Sequence, residues 1–118
     1  MCERDEVKLL VTAQEVLATC GWGQGPGGED QPLCALGAVN KAAVLLWGGY
    51  GWYRDARHAE TFHNAVNSLH ELARKARYLN IIDYNDDPRT GEHNVLDILG
   101  RAAERFSEDT EIRRDEDG

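Results

Sequence analysis

The sequence predicts an all-α fold: a single-domain, irregular four-helix arrangement with a glycine-rich loop and an acidic C-terminal tail. Apolar residues recur at three- and four-residue intervals in four segments, which is the period of a helix with one buried face. Glycine and proline clusters separate these segments, and alternating strand patterns are scarce. With 118 residues, 42% of them hydrophobic, the chain is long enough to build one core.

The first two predicted helices flank the glycine-rich loop. The first apolar stripe predicts a helix over Asp5–Cys20, which Gly21 then ends. The loop "GWGQGPGGEDQP" follows. Asp30 is a candidate N-cap and Pro32 suits a first turn, so we expect the second helix over Pro32–Trp47. The two stripes consist of Val7, Leu10, Val11, Gln14, Leu17 and Ala18, and of Leu33, Leu36, Gly37, Asn40, Ala43, Val44 and Trp47.

The second half of the chain contains the longest predicted helix and a capped fourth one. We expect the third helix over Arg54–Leu79; at 1.5 Å per residue it would be about 40 Å long, so a bend or break is expected. Residues 80–93 are predicted as a loop. Thr90 is the expected N-cap of the fourth helix, with Glu92 in the first turn. The stripes consist of Ala59, Phe62, Val66, Leu69, Ala73 and Ala76, and of Val95, Ile98, Leu99, Ala102 and Phe106.

Charge separates the predicted domain from its tail. The chain carries 21 acidic and 13 basic residues, a net charge of −8, and 12 of the acidic residues lie in residues 81–118. The final segment, "SEDTEIRRDEDG", offers Ile112 as its one large aliphatic residue among charges. We therefore expect residues 1–106 to form the helical domain and residues 107–118 to be disordered.

Composition also excludes several classes of protein. An acidic chain is repelled by phosphate backbones, which disfavours nucleic-acid binding. No apolar run approaches the roughly 20 residues that span a bilayer, and the charged N-terminus "MCERDEVK" does not look like a signal peptide, so no membrane partner is expected. Three cysteines cannot all pair within one chain, and their spacings match no zinc pattern. A cytoplasmic protein with reduced thiols, favoured as a monomer, is the simple interpretation.

Three motifs match known binding signatures only in part. "GQGPGG" has the spacing of a dinucleotide loop but follows a predicted helix instead of a strand. "DYNDDPRTGEHN" begins like a calcium loop, but proline replaces the central glycine and asparagine replaces the final glutamate. Glu60 and His63 form one Glu-x-x-His element without a second. His63, Asn67 and His70 are interpreted as a solvated polar face. We therefore expect no metal and no cofactor.

Cys34, in "QPLCALGAVNKAAVLLW", has two interpretations. In the first turn of a helix, free N–H groups stabilise a thiolate, and a cysteine-dependent hydrolase or transferase would use Cys34 as its nucleophile. His93 would then be the general base, Gln24 an oxyanion donor and Asn85 the residue that orients the histidine. Against this, Cys34 lies on the inward stripe among small residues, which favours a packing role. The cysteine-dependent enzyme is therefore the alternative function.

The stretch "LLWGGYGWY" concentrates rigid aromatic side chains in a glycine-rich turn. Such residues anchor many protein–protein interfaces. Trp47 continues the stripe of the second helix and is expected inside. Trp52, Tyr50 and Tyr53 follow that helix, and we predict that they contact an unidentified protein partner. The alternative is that the turn forms a lid over the helix ends.

Three short motifs occur in a fixed order along the chain. They are Gly21, Trp22, Gln24 and Gly25; then Cys34 to Ala38; then Tyr84 to Asp86, Pro88 and Thr90. In this order they resemble a family of small uncharacterised proteins from actinobacteria and their phages. Members of that family carry "NDxPGRT", whereas this chain reads "DDPRTG". The resemblance implies one cytoplasmic domain of phage-related origin and no known activity. With the aromatic turn as the candidate contact surface, we expect a non-enzymatic protein-interaction or host-modulating factor.

Overall fold

A computed structural model describes residues 4–23 and 34–117, without the side chains of Tyr50 and of residues 108–117. The elements in chain order are α1 (Asp5–Cys20), α2 (Ala35–Trp47), a 3-10 helix (Tyr50–Arg54), α3 (Ala56–Lys75), α4 (Ile81–Asp86) and α5 (Glu92–Asp117). The two described ranges form helices and no strand, which confirms the all-α prediction.

The hydrophobic core is built around α1. This helix packs against α2, α3 and α5, and its residues Leu9, Leu10 and Leu17 are fully buried. Burial of each leucine contributes about 2 kcal/mol. The buried face of α2 is made of small residues, which lets its backbone approach α1 closely. These residues are Ala35, Ala38, Val39, Ala42 and Ala43.

Local sequence sets the boundary between α2 and α3. Gly48 follows α2 in the left-handed conformation, with φ of 79°, which glycine adopts without a Cβ penalty. Asp55 caps α3, because its Oδ1 accepts the N–H of Arg57 at 2.9 Å and that of His58 at 3.3 Å. The N–H groups of His58 and Arg57 hold the pKa of Asp55 below its usual value. α3 therefore begins at Ala56 instead of Arg54.

The C-terminal end of α3 differs from the prediction. α3 ends at Lys75, and Arg77 then adopts the left-handed conformation with φ of 73°. The N–H of Tyr78 donates back to the carbonyl oxygen of Ala73 at 3.0 Å. This bond closes the helix in the manner of a Schellman motif, so the prediction of one helix to Leu79 is wrong.

The segment predicted as a loop contains the short helix α4. Asn80 caps this helix by accepting the N–H of Asp83 at 2.9 Å, and Ile81 is fully buried. Six residues are too few to show a repeated apolar stripe, so periodicity alone misses the helix.

Thr90 stands between α4 and α5 and binds the first of them. Its hydroxyl donates to the carbonyl oxygen of Tyr84 at 2.7 Å, so the predicted role as N-cap of the following helix is wrong. The side-chain oxygen of Asn94 accepts the N–H of Gly91 at 2.8 Å just before α5 begins. Thr90 is buried, and its hydroxyl satisfies a carbonyl group at the end of α4.

α5 continues past the last residues that pack in the hydrophobic core. Ala102 and Ala103 are buried and Phe106 is half-buried, whereas the helical backbone continues to Asp117. The sequence predicts disorder after residue 106, whereas the backbone of residues 107–117 is helical. That this segment is dispensable for folding stays a prediction.

Candidate functional site

A cavity of about 240 Å³ lies between the start of α2 and α4. Its wall is mostly apolar. The lining residues are Cys34, Ala35 and Leu36 on one side and Ile81, Ile82, Asn85 and Asp86 on the other. The cavity thus brings together two residues of the predicted catalytic set, Cys34 and Asn85.

Asn85 connects α4 to both ends of the glycine-rich loop. Its side chain is almost completely buried, with 1% exposed. The Oδ1 accepts the indole N–H of Trp22 at 2.8 Å and the backbone N–H of Ala35 at 2.9 Å. The Nδ2 group donates to the carbonyl oxygen of Gly23 at 3.3 Å and to Oδ1 of Asp86 at 3.1 Å. None of these four partners is a histidine, and the orienting role of Asn85 stays a prediction.

Cys34 occupies the N-cap position of α2. Its Sγ accepts the N–H of Gly37 at 3.3 Å, and the side chain is half-buried. Because α2 begins one residue later, Cys34 precedes the first turn instead of lying in it. The thiol therefore satisfies one free N–H of the helix and forms part of the cavity wall.

The remaining two residues of the predicted catalytic set are Gln24 and His93. Gln24 lies outside the described residues. His93 is exposed in the first turn of α5 and is not among the residues that line the cavity. A cysteine nucleophile needs a base within hydrogen-bond reach. The described part of the cavity therefore holds a thiol and an amide without a histidine.

His70 anchors α4 to α3, a role that the sequence analysis missed. Its Nδ1 accepts the backbone N–H of Ile81, the first residue of α4, at 3.2 Å. The imidazole is half-buried instead of lying on a solvated face with His63. Burial, with a smaller contribution from Arg74, lowers the pKa of His70. A neutral imidazole is required, because only an unprotonated Nδ1 can accept this bond.

Four rings form a cluster where α2, the 3-10 helix and α3 meet. Trp47 stacks on His58 with a centroid distance of 4.3 Å and an interplanar angle of 6°. Trp52 lies 5.6 Å from Trp47 and 4.7 Å from Phe62, centroid to centroid. Both tryptophans are half-buried. The expected contrast between an inner Trp47 and an outer Trp52 is therefore absent, because the 3-10 helix folds Trp52 back onto α3.

Tyr53 is the exposed ring of this turn. It is 58% exposed, its ring meets that of Trp52 edge-on at 6.2 Å, and the guanidinium carbon of Arg54 lies 5.9 Å from its centroid. Leu46, on the last turn of α2, is 40% exposed although it continues the row of residues that is buried earlier in the helix. The side chain of Tyr50 lies outside the described part.

The partial binding motifs have structural roles or stand on the surface. Asp83 and Asn85 of the calcium-like pattern lie within α4, and Glu60 and His63 are exposed on α3. Across residues 4–23 and 34–117, no three His, Cys, Asp or Glu side chains are arranged to hold a metal ion. None of the helices in those ranges is long and apolar enough to cross a membrane.

The fold and the two regions described above define a small helical domain with an exposed aromatic turn and a buried asparagine that joins α4 to the loop ends. Residues 1–105 match a family described as a family of unknown function, DUF6197, and the chain belongs to that family. The match includes the cavity, the aromatic turn and α4. No curated protein matches the chain, and no solved structure does either.

Proposed function

We infer that this domain is a non-enzymatic protein-interaction factor that binds its partner through the aromatic turn. We call this region the docking surface; it consists of Leu46, Tyr50, Trp52, Tyr53 and Arg54. The observation that carries the proposal is the 58% exposure of Tyr53 beside a guanidinium group and a half-buried tryptophan. Tyrosine, tryptophan and arginine contribute most of the binding energy at many protein interfaces.

The ring cluster beneath the docking surface supports the proposal. Trp52 packs against both Trp47 and Phe62, which holds the 3-10 helix on α3. The Asp55 cap then fixes the start of α3 directly after this turn. A surface held in one conformation before binding loses little conformational entropy on association.

The proposed partner is a protein in the cytoplasm. The net charge of −8 opposes binding to nucleic acids. Cys20 and Cys34 are free thiols, which suits a reducing compartment. The resemblance to proteins of actinobacteria and their phages adds a bacterial host protein as the expected kind of partner, bound by the monomeric domain.

Site-specific photocrosslinking tests the proposal. A photoreactive amino acid is placed at Tyr53 or, as a matched control, at Asn67, an exposed residue of α3. We expect crosslinks to one protein from position 53 and none to that protein from position 67. Because a crosslinked protein could be incidental, its affinity for the purified domain is then measured.

Affinity measurements with the purified partner provide the decisive comparison. Tyr53→Ala should weaken binding by about 30-fold, or about 2 kcal/mol. Leu79→Ala removes a side chain that is 79% exposed and lies outside the docking surface, so it should leave the dissociation constant unchanged. Equal effects of the two substitutions, or no effect of either, would show that the turn is not the binding surface.

A cysteine-dependent enzyme is the second candidate, and one observation favours it: Cys34 and Asn85 line the same cavity. An activated nucleophile should react with iodoacetamide within minutes at pH 6, well below the free thiol pKa of about 8.5. The structural role of Cys34 as an N-cap predicts slow labelling instead. Rapid labelling at Cys34, but not at the exposed Cys20, would favour the enzyme over the interaction protein.

A further inference from the structure

The short helix α4 depends on contacts with other elements. A helix of six residues is unstable by itself, because its few hydrogen bonds do not offset the conformational entropy lost in nucleation. α4 is held at its start by His70, near its end by the bonds of Asn85, and from the following segment by the Thr90 hydroxyl. Tyr84 adds a bond from its hydroxyl to the carbonyl oxygen of Asn94 at 3.3 Å.

Of these four anchors, only the one at His70 titrates near neutral pH. The anchors at Asn85 and Thr90 are an amide and a hydroxyl, which have no relevant proton equilibrium. Burial raises the pKa of Tyr84, with a smaller contribution from Asp97, so its hydroxyl stays neutral. Protonation of His70 would place an N–H group against the N–H of Ile81 and remove that anchor.

We propose that the contact between His70 and the N–H of Ile81 is an acid-sensitive latch, whose protonation weakens the attachment of α4 to α3 and raises the population in which the cavity between α4 and α2 is open. Four residues of α4, from Ile81 to Asp86, form one wall of that cavity. Asn85 on the same helix holds Gly23 and Ala35 at the two ends of the glycine-rich loop. Release of α4 therefore exposes Cys34 and frees both loop ends together.

The surroundings of His70 set the direction of the pH dependence. Arg74, one turn further along α3, is the charged group that acts on the imidazole. Of the carboxylates of α4, Asp83 is exposed, and Asp86 is exposed but accepts a bond from Nδ2 of Asn85 at 3.1 Å. Burial and Arg74 lower the pKa of His70 in the folded state below the value of about 6.5 in an unfolded chain. The latch is therefore fully closed above pH 6.5 and opens as the pH falls through the lower, folded-state pKa.

Hydrogen exchange of the full chain at pH 7.5 and pH 5.0 tests the latch. After correction for the intrinsic pH dependence of exchange, amides of α4 and of residues 35–37 should exchange several-fold faster at pH 5.0, up to the limit of about 30-fold that one proton with an unfolded-state pKa of about 6.5 sets at this pH. The core amides of α1 should not change. A pH effect shared equally by α1 and α4 would show global acid unfolding and overturn the proposal.

Substitutions at two histidines make the test specific. His70→Asn places an amide oxygen near the position of Nδ1 and does not titrate, so α4 should stay closed at both pH values. His70→Ala removes the acceptor and should leave α4 open at both. His63→Asn, on an exposed face of α3, is the matched control and should keep the wild-type pH response. A wild-type response in His70→Asn would overturn the proposal even if the alanine variant failed to fold.

Discussion

Asn85 shows how one side chain can join segments that are far apart in the sequence. Its Oδ1 accepts two N–H groups, one from Trp22 at the start of the glycine-rich loop and one from Ala35 just after its end. The second of these is a backbone N–H at the start of α2, which has no partner within the helix itself. Asn85 therefore holds together three segments that are distant in the sequence.

Replacing Asn85 with alanine should destabilise the domain by about 2–4 kcal/mol, because the buried N–H of Ala35 and the partly buried indole N–H of Trp22 lose their acceptor. Urea denaturation followed by circular dichroism measures the change. Asn67→Ala, at an exposed position of α3, should change stability by less than about 0.5 kcal/mol. A loss below about 1 kcal/mol for Asn85→Ala would mean that water readily replaces the amide.

Arg77 is the one described non-glycine residue with a positive φ, at 73°. Left-handed backbone costs a residue with a Cβ about 1 kcal/mol, and glycine is the usual residue at this position after a helix. Its side chain is exposed, so little contact is lost on its removal.

Arg77→Gly should therefore stabilise the domain by about 0.5–1 kcal/mol, measured by the same denaturation experiment. Arg74→Gly is the matched control, because it places glycine within the regular last turn of α3 and should destabilise by a similar amount. A loss of stability in Arg77→Gly would indicate that the arginine side chain makes a contact worth more than the backbone strain.

α5 combines a core segment with an extension. Ala103 is the last buried residue in the described part of α5. The ring of Phe106 packs against Arg4, whose guanidinium carbon lies 5.0 Å from the ring centroid. The sequence of residues 108–117 contains one large aliphatic residue. Such a segment has little apolar surface with which to offset its ordering entropy.

Truncation after Ser107 should change the melting temperature by less than about 5 °C, which corresponds to roughly 1 kcal/mol for a domain of this size. Truncation after Glu104 also removes Phe106 and should lower the melting temperature by more than this. Thermal unfolding followed by circular dichroism compares the two. A large fall after the first truncation would show that the helical extension packs on the domain.

One hydrophobic core joins all the long helices. α1 packs against α2, α3 and α5, and its buried leucines belong to the same cluster as Leu69 of α3 and Leu99 of α5. Removal of any of these helices would open that shared core. Stability is therefore expected to be cooperative across the domain.

Urea unfolding at pH 7.5 should give coincident transitions by far-ultraviolet circular dichroism and by tryptophan fluorescence. Trp22 reports on the α4 side of the molecule, whereas Trp47 and Trp52 report on the ring cluster. Separate midpoints for the two signals would show that one of these regions unfolds before the shared core.

The helical class and several element boundaries followed from local information. α1 has the predicted limits, Asp5 and Cys20, because both the apolar period and the stop at Gly21 are encoded within the segment itself. The end of α2 at Trp47 was predicted correctly for the same reason, since two glycines follow it. Four apolar stripes were enough to predict the four long helices.

The features that depend on tertiary structure were decided by contacts between distant residues. Asn85 bonds to Ala35 and Trp22, which lie 50 and 63 residues away in the sequence, and His70 bonds to Ile81 across a chain reversal. These contacts stabilise α4, which has too few residues to show a period. The direction of Trp52 was likewise decided by packing against Phe62. The four long helices could be located from the sequence, because periodicity and helix-stop signals act over a few residues. Which polar side chains are buried and joined depends on the tertiary structure, because burial depends on neighbours that no local pattern specifies.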